Sequence, residues 1–144
     1  MTVAAAAVLN DGELIEPTLL RRPEAGPILA TRVIEDSTSV WMRALLRHVV
    51  TAGTGRAADV PGYAVGDKTG TALKFIADRY DRRRRVATFF AAFPLSDTPR
   101  YAVLVLIDEP RSNAGSRAHA AAESTAVPAA GQIIAHIAPL LDLN

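Results

Sequence analysis

Lys68-Thr69-Gly70-Thr71-Ala72 is the stretch on which the fold turns. It follows the extended-looking Tyr63-Ala64-Val65-Gly66 and precedes a charged segment and a further apolar run. That setting predicts a strand of an antiparallel sheet. Strand alternation puts the side chains of Thr69 and Thr71 on one face. Gly70 leaves room for close approach of a substrate or a neighbouring backbone. Thr is also a good strand former in its own right, so the run alone is compatible with a purely structural role.

Working outward, Val86 to Phe93 and Tyr101 to Ile107 are apolar runs of strand length, separated by Pro94-Leu95-Ser96-Asp97-Thr98-Pro99-Arg100. With the Lys68 strand they predict a three-strand antiparallel meander in an α+β fold. The unbroken apolar character of Tyr101 to Ile107 predicts a strand covered on both faces, hence central in the complete sheet. Between the first two strands, Asp78 to Arg85 carries Arg82-Arg83-Arg84-Arg85 and reads as a hairpin tip. Without interleaved stacking aromatics the arginines read as a solvated turn, not as a nucleic-acid site.

Thr2 to Leu9 has the composition of a buried helix, stopped by Asn10-Asp11-Gly12, where Asn10 or Gly12 can adopt the left-handed conformation. Glu13 to Leu20 reads as extended, and Arg21 to Pro27 as a loop. A second helix is expected from a cap at Asp36 or Ser37 to about Val50. Met42, Leu45, Leu46 and Val49 form its apolar stripe, with Arg43 and Arg47 on another face and Trp41 at the core boundary. His48 reads as a surface residue. Gly53 to Gly62 is a glycine-rich loop, and Arg111 to Thr125, with His119, a long one. A last helix starts at Pro128. Ile133, Ile134, Ile137 and Leu141 trace its buried face, and Pro139 kinks or ends it.

Composition constrains function less than the motif does. The 144 residues suffice for one domain with its own core. Sixteen Lys and Arg against fifteen Asp and Glu leave a formal charge of +1, which argues against any global attraction to nucleic acid or anionic membrane. The absence of cysteine excludes disulfides, thiolate metal sites and cysteine nucleophiles. The apolar start reaches Asn10-Asp11-Gly12 after nine positions, too short for a signal peptide or a membrane span.

Lys68 to Ala72 resembles the third active-site motif of penicillin-binding proteins and serine β-lactamases. The resemblance extends along the chain in order: Gly53-Thr54-Gly55, Asp59-Val60-Pro61-Gly62-Tyr63, the motif itself, Phe90-Ala91-Ala92-Phe93-Pro94, and Arg100-Tyr101 leading to Asp108-Glu109-Pro110. Together these look like the last third of a class B penicillin-binding protein. Val127 to Gly131 and Ile137 to Leu140 look most like the division-specific type of Gram-negative bacteria. Two features depart from the pattern: Asp67 stands where the family usually has a small residue, and Glu123 to Pro128 lacks the glycines common before the final helix.

The resemblance implies the C-terminal portion of the serine β-lactamase-like transpeptidase fold over residues 1–144, without the N-terminal half that carries the nucleophile. It implies a part in D,D-transpeptidation, the cross-linking of peptidoglycan during septum synthesis. On it, Lys68 and Thr71 are the catalytic residues, Lys68 through its cation and Thr71 through a backbone N–H in the oxyanion hole. Thr69, Gly70 and Thr71 bind substrate, the two hydroxyls holding its carboxylate. The expected partners are peptidoglycan stem peptides and β-lactams, the N-terminal half of the same domain, and cell-division proteins; no nucleic acid, cofactor or metal is expected. The expected place of the complete family member is the periplasmic face of the cytoplasmic membrane. None of Ser37, Ser39, Ser96, Ser112, Ser116 or Ser124 begins Ser-x-x-Lys or Ser-x-Asn, so the isolated chain is expected to be inactive and dependent on its missing half, or to aggregate through an open sheet edge. A non-catalytic remnant serving as a protein-interaction module is the alternative.

Overall fold

The computed structural model describes residues 1–21, 28–96, 99–111, 121–141 and 143. In chain order its elements are α1 (Thr2–Leu9), β1 (Glu13–Ile15), β2 (Ala30–Arg32), α2 (Asp36–Ala52), β3 (Gly66–Ile76), β4 (Arg79–Phe93), β5 (Tyr101–Asp108) and α3 (Ala126–Ile137). Short 3-10 turns stand at Arg56–Ala58, Ala122–Ser124 and Ala138–Leu141. Most of the loops expected at Arg21 to Pro27 and Arg111 to Thr125, with His119, Ser112 and Ser116, lies outside the described residues.

The expected meander is present: β3, β4 and β5 pair antiparallel in that order. β4 carries the core on both faces. Ala87, Phe89, Ala91 and Phe93 alternate towards Val65, Ala126, Val127, Ala130 and Ile134, while Phe90 and Ala92 face Leu9 and Leu46. The sheet is therefore packed against α3 on one side and against α1 and α2 on the other. β5 is unbroken and apolar from Tyr101 to Ile107, yet it is only half-buried, with Leu106 55% exposed, and it forms an outer strand among the described residues.

The charged stretch is not the turn that the sequence suggested. The turn is Ala77-Asp78, both with positive φ (49° and 58°), and Arg79 onwards belongs to β4. Two consecutive left-handed residues make the tight connection whose twist matches antiparallel strands. Pairing runs from Gly66 opposite Ala92 to Leu73 opposite Arg85, then resumes at Lys74 opposite Asp81. Arg82, Arg83 and Arg84 thus have no opposite residue and form a bulge.

The helices follow their expected spans, but α2 is turned differently. Its buried residues are Ser39, Arg43, Leu46 and Val50, while Leu45 and the expected boundary residue Trp41 (72%) are exposed. Arg43 makes the difference. Its Nη1 donates to Leu9 O (2.9 Å), Asp11 Oδ1 (2.8 Å) and Ser39 Oγ (3.0 Å), and Ser39 Oγ donates to Val8 O (2.6 Å). A cation thereby satisfies a carbonyl at the C-terminal end of α1, where helical carbonyls lack intrahelical partners. The N-cap of α2 is Glu35 without a side-chain hydrogen bond; Asp36 instead accepts from Ser37 N (2.7 Å).

After α1 the left-handed positions are Asp11 and Gly12 (φ 82°), not Asn10, and a Cβ on Gly12 would overlap the Ile34 backbone. The last helix begins at Ala126, two residues before Pro128, which still lies in the first turn where an N–H has no ladder partner. Ile134 is buried on it, and Ile137 and Leu141 pack against the core, whereas Ile133 is exposed. Regular helix ends before Pro139 as expected. Replacing Arg43 by alanine would leave the Leu9 carbonyl and Asp11 without their cation, so Arg43→Ala is expected to lose about 2–4 kcal/mol of stability. Urea unfolding monitored by circular dichroism reads this loss, and an unchanged midpoint would contradict the role of Arg43.

Candidate active-site strand

β3 has β4 on one side only, so along its other edge the backbone groups of the motif are outside the ladder among the described residues. The side chains divide between the two faces. Asp67, Thr69 and Thr71 stand opposite Ala91, Phe89 and Ala87, on the α3 side, while Lys68 and Gly70 stand opposite Phe90 and Thr88. The two hydroxyls expected together are therefore on one face, and Lys68 is on the other. Its exposed ammonium turns back along the strand, with Nζ donating to Thr69 O at 2.7 Å.

Both threonines are engaged by segments distant in sequence. Thr69 Oγ1 lies 3.2 Å from Thr54 Oγ1, and Thr71 Oγ1 accepts from Ala122 N at 3.1 Å. The absent side chain of Gly70 makes room for Thr88: a Cβ there would stand 2.6 Å from Thr88 Oγ1, which donates to Gly70 O at 3.1 Å. The close neighbour of Gly70 is thus a cross-strand hydroxyl. Arg47 fixes the approach to β3 by donating to Val65 O (2.8 Å) and Asp59 Oδ1 (2.9 Å).

Asp67 is fully buried, and neither carboxylate oxygen has a hydrogen-bond partner among the described residues. It fits because residue 55 is glycine; a Cβ on Gly55 would overlap the Asp67 carboxylate. Burial pushes the Asp67 carboxyl up to about 6, against the opposing pull of the neighbouring Lys68 cation. Sequence reasoning singled out Asp67 only as a departure, and it gave no role to Thr54 or Ala122. The glycines around Thr54 were the available signal; nothing local marks Ala122.

Comparison with known proteins gives this strand its family. Residues 1–129 match the penicillin binding protein transpeptidase domain. The chain belongs to the penicillin-binding protein transpeptidase family. A probable peptidoglycan D,D-transpeptidase FtsI of Caulobacter vibrioides is 40% identical over 149 residues, covering 98% of this chain and 25% of that protein. Stage V sporulation protein D of Bacillus subtilis is 35% identical over 118 residues, covering 75% of this chain and 18% of that one. The transpeptidase domain of Burkholderia pseudomallei penicillin-binding protein 3 superposes with TM-score 0.83 at 32% identity, over 99% of this chain and 41% of that one. Penicillin-binding protein 3 of Mycobacterium tuberculosis, solved with ampicillin, gives 0.80 at 28% identity, over 99% and 34%. The chain thus spans about a quarter of the curated Caulobacter relative, and the transpeptidase fold is that expected from the motif order. Among the described residues no helix is long and apolar enough to cross a membrane.

The buried carboxyl gives this transpeptidase strand a pH signature. Folding raises the carboxyl from 3.8 to about 6, so the native state holds the proton more tightly. Stability at Asp67 is greatest below pH 4, falls as pH rises through 4 to 6, and stays lowered above. The two-unit shift corresponds to at most about 3 kcal/mol. Asp67→Asn is expected to match the parent at pH 4 and to exceed it by about 2–3 kcal/mol at pH 7. Paired urea titrations at the two pH values check it; a difference independent of pH would refute it.

Proposed function

We propose that this chain supplies the Lys-Thr-Gly strand of a peptidoglycan D,D-transpeptidase site that acts in septum synthesis at the periplasmic face of the cytoplasmic membrane. The observation that carries the reading is the position of Lys68-Thr69-Gly70-Thr71 on a strand with one edge unpaired among the described residues, in a chain of this family. In such a site a serine attacks the carbonyl of a D-Ala-D-Ala peptide, and the acyl group passes to an amine of a neighbouring strand; a β-lactam acylates the same serine. Lys68 contributes a cation near the substrate carboxylate. Thr69 and Thr71 contribute hydroxyls that bind it, and Gly70 contributes the substrate-binding backbone between them while its open face admits the Thr88 hydroxyl. The backbone N–H of Thr71 is one of two donors to the oxyanion, a contribution of roughly 3–4 kcal/mol to the transition state.

The nucleophile comes from outside this sequence, because none of its serines begins a Ser-x-x-Lys. The ties from Thr54 and Ala122 to the two threonine hydroxyls support the reading physically. A strand held at two points along one face has little freedom to recoil when charge develops at its edge, which is the condition for preorganised stabilisation.

The test is a chimera in which this chain replaces the corresponding C-terminal segment of the Burkholderia pseudomallei transpeptidase domain. With fluorescent penicillin, the chimera is expected to form an adduct that survives denaturation, and Lys68→Ala to slow acylation about a hundredfold or more. This chain alone is expected to retain no label. Label on the isolated chain, or acylation indifferent to Lys68, would overturn the proposal.

A further inference from the structure

Beyond the motif, β3 runs on into an arm that the transpeptidase reading leaves unused. Phe75 and Tyr80 stand opposite each other near the tip of the β3–β4 hairpin, their rings edge to face at 5.2 Å and 67°. Both are open to solvent, at 61% and 68%. Isolated apolar residues on a surface are ordinary, but two aromatic rings held together on a protruding hairpin are not covered by any described part of the chain.

The charges around them are unevenly committed. Lys74 Nζ is held by Asp108 (2.7 Å) and Glu109 (2.9 Å), and Arg84 is 3.8 Å from Asp81 and 3.9 Å from Glu109. Arg79, Arg82 and Arg83 are exposed and have no ion-pair partner among the described residues. The bulge projects Arg82 and Arg83 from the ladder, and Asp81 Oδ1 accepts from Arg83 N at 2.8 Å, fixing its backbone. With Arg79, Tyr80 and Asp81 these two arginines line a shallow groove. Six basic and two acidic residues fall between Lys74 and Arg85 in a chain whose net charge is +1, so the hairpin is a basic arm on an otherwise acidic chain.

We infer that the β3–β4 hairpin is a docking surface for an acidic polypeptide segment, whose carboxylates pair with Arg79, Arg82 and Arg83 and whose apolar side chains cover Phe75 and Tyr80. Guanidinium groups match carboxylates in a planar, two-pronged geometry, and clustered aromatic and arginine side chains are the residues that dominate protein interfaces. Asp78 and Asp81 decide between polyanions. Both lie at the same tip, where any polyanion repels them, and a polypeptide offsets that repulsion with backbone N–H donors spaced between its carboxylates, which a phosphate backbone or an anionic bilayer surface does not present. Phe75 follows Thr71 by four residues, about 13 Å along a continuous strand. A partner seated here would load the same strand that carries the motif, although binding itself does not depend on transpeptidase chemistry.

The test uses the whole chain and a fluorescein-labelled hexapeptide alternating glutamate and leucine, read by fluorescence anisotropy. Binding that weakens in high salt is expected. Arg82→Glu with Arg83→Glu should weaken it at least about tenfold, and Phe75→Ala with Tyr80→Ala about fivefold or more. Charge reversals at Arg21 and Arg111, exposed but off the hairpin, should leave it unchanged. Thermal melts of each variant separate lost binding from lost fold, and should the aromatic pair prove necessary for folding, the arginine variants carry the test alone. Absent peptide binding, equal binding by all variants, or hairpin-dependent retention on phosphatidylglycerol vesicles or single-stranded DNA without peptide binding would each overturn the inference.

Discussion

The register between β3 and β4 is the constraint on which the rest of the structure depends. A one-residue slip would carry every side chain of β3 to the opposite face. Thr69 and Thr71 would then leave Thr54 and Ala122, and Asp67 would leave the space beside Gly55. Slippage is opposed because β4 has no spare face: Phe89 and Phe93 are committed to the α3 core, and Ala92 to the side of α1 and α2. Only beyond Leu73, where both strands leave the core, does the register shift and the arginine bulge appear. Core packing therefore fixes the motif segment and releases the hairpin arm, within one continuous strand.

Much of this was legible locally. The three-strand meander, the limits of α2 and the end of α3 before Pro139 follow from apolar runs, breakers and the fixed φ of proline, all of which act over a few residues, whereas the start of β4 at Arg79 does not. The orientation of α2 was not legible in that way. Val40, Trp41 and Leu45 make an apolar face as plausible as the one that is buried. The choice is made by Arg43, which finds Leu9 O and Asp11 more than thirty positions earlier. A buried cation looks from sequence like a solvent-facing one, because its partners lie on another element. The place of β5 was not legible either, because its unbroken apolar run lies at the edge of the described sheet.

The site divides along the same line. The residue types of the motif and the shared face of Thr69 and Thr71 follow from strand alternation alone. What holds those hydroxyls, a threonine fifteen positions upstream and a backbone N–H fifty-one positions downstream, has no periodicity that could announce it. The charged segment after the motif reads as a turn for a related reason: its pairing partners, such as Phe75 opposite Tyr80, lie on the other strand of the hairpin, and only Ala77-Asp78 makes the turn.

Asp67 and Gly55 show how a buried carboxyl is accommodated beside the motif lysine. A small residue before the lysine needs nothing from the loop after α2, whereas a carboxyl there needs a void, and glycine at 55 provides it. The two positions are thereby coupled: a side chain at 55 is compatible only with a small residue at 67. The void brings no hydrogen-bond donor with it among the described residues, so the carboxyl is accommodated sterically and left unsatisfied electrostatically, which raises its proton affinity. Lys68 offsets only part of that burden, since its ammonium is on the opposite face and bonded to Thr69 O. β3 tolerates the strain because its position is set elsewhere, by the ladder to β4, by Arg47 at Val65 and by the two threonine ties.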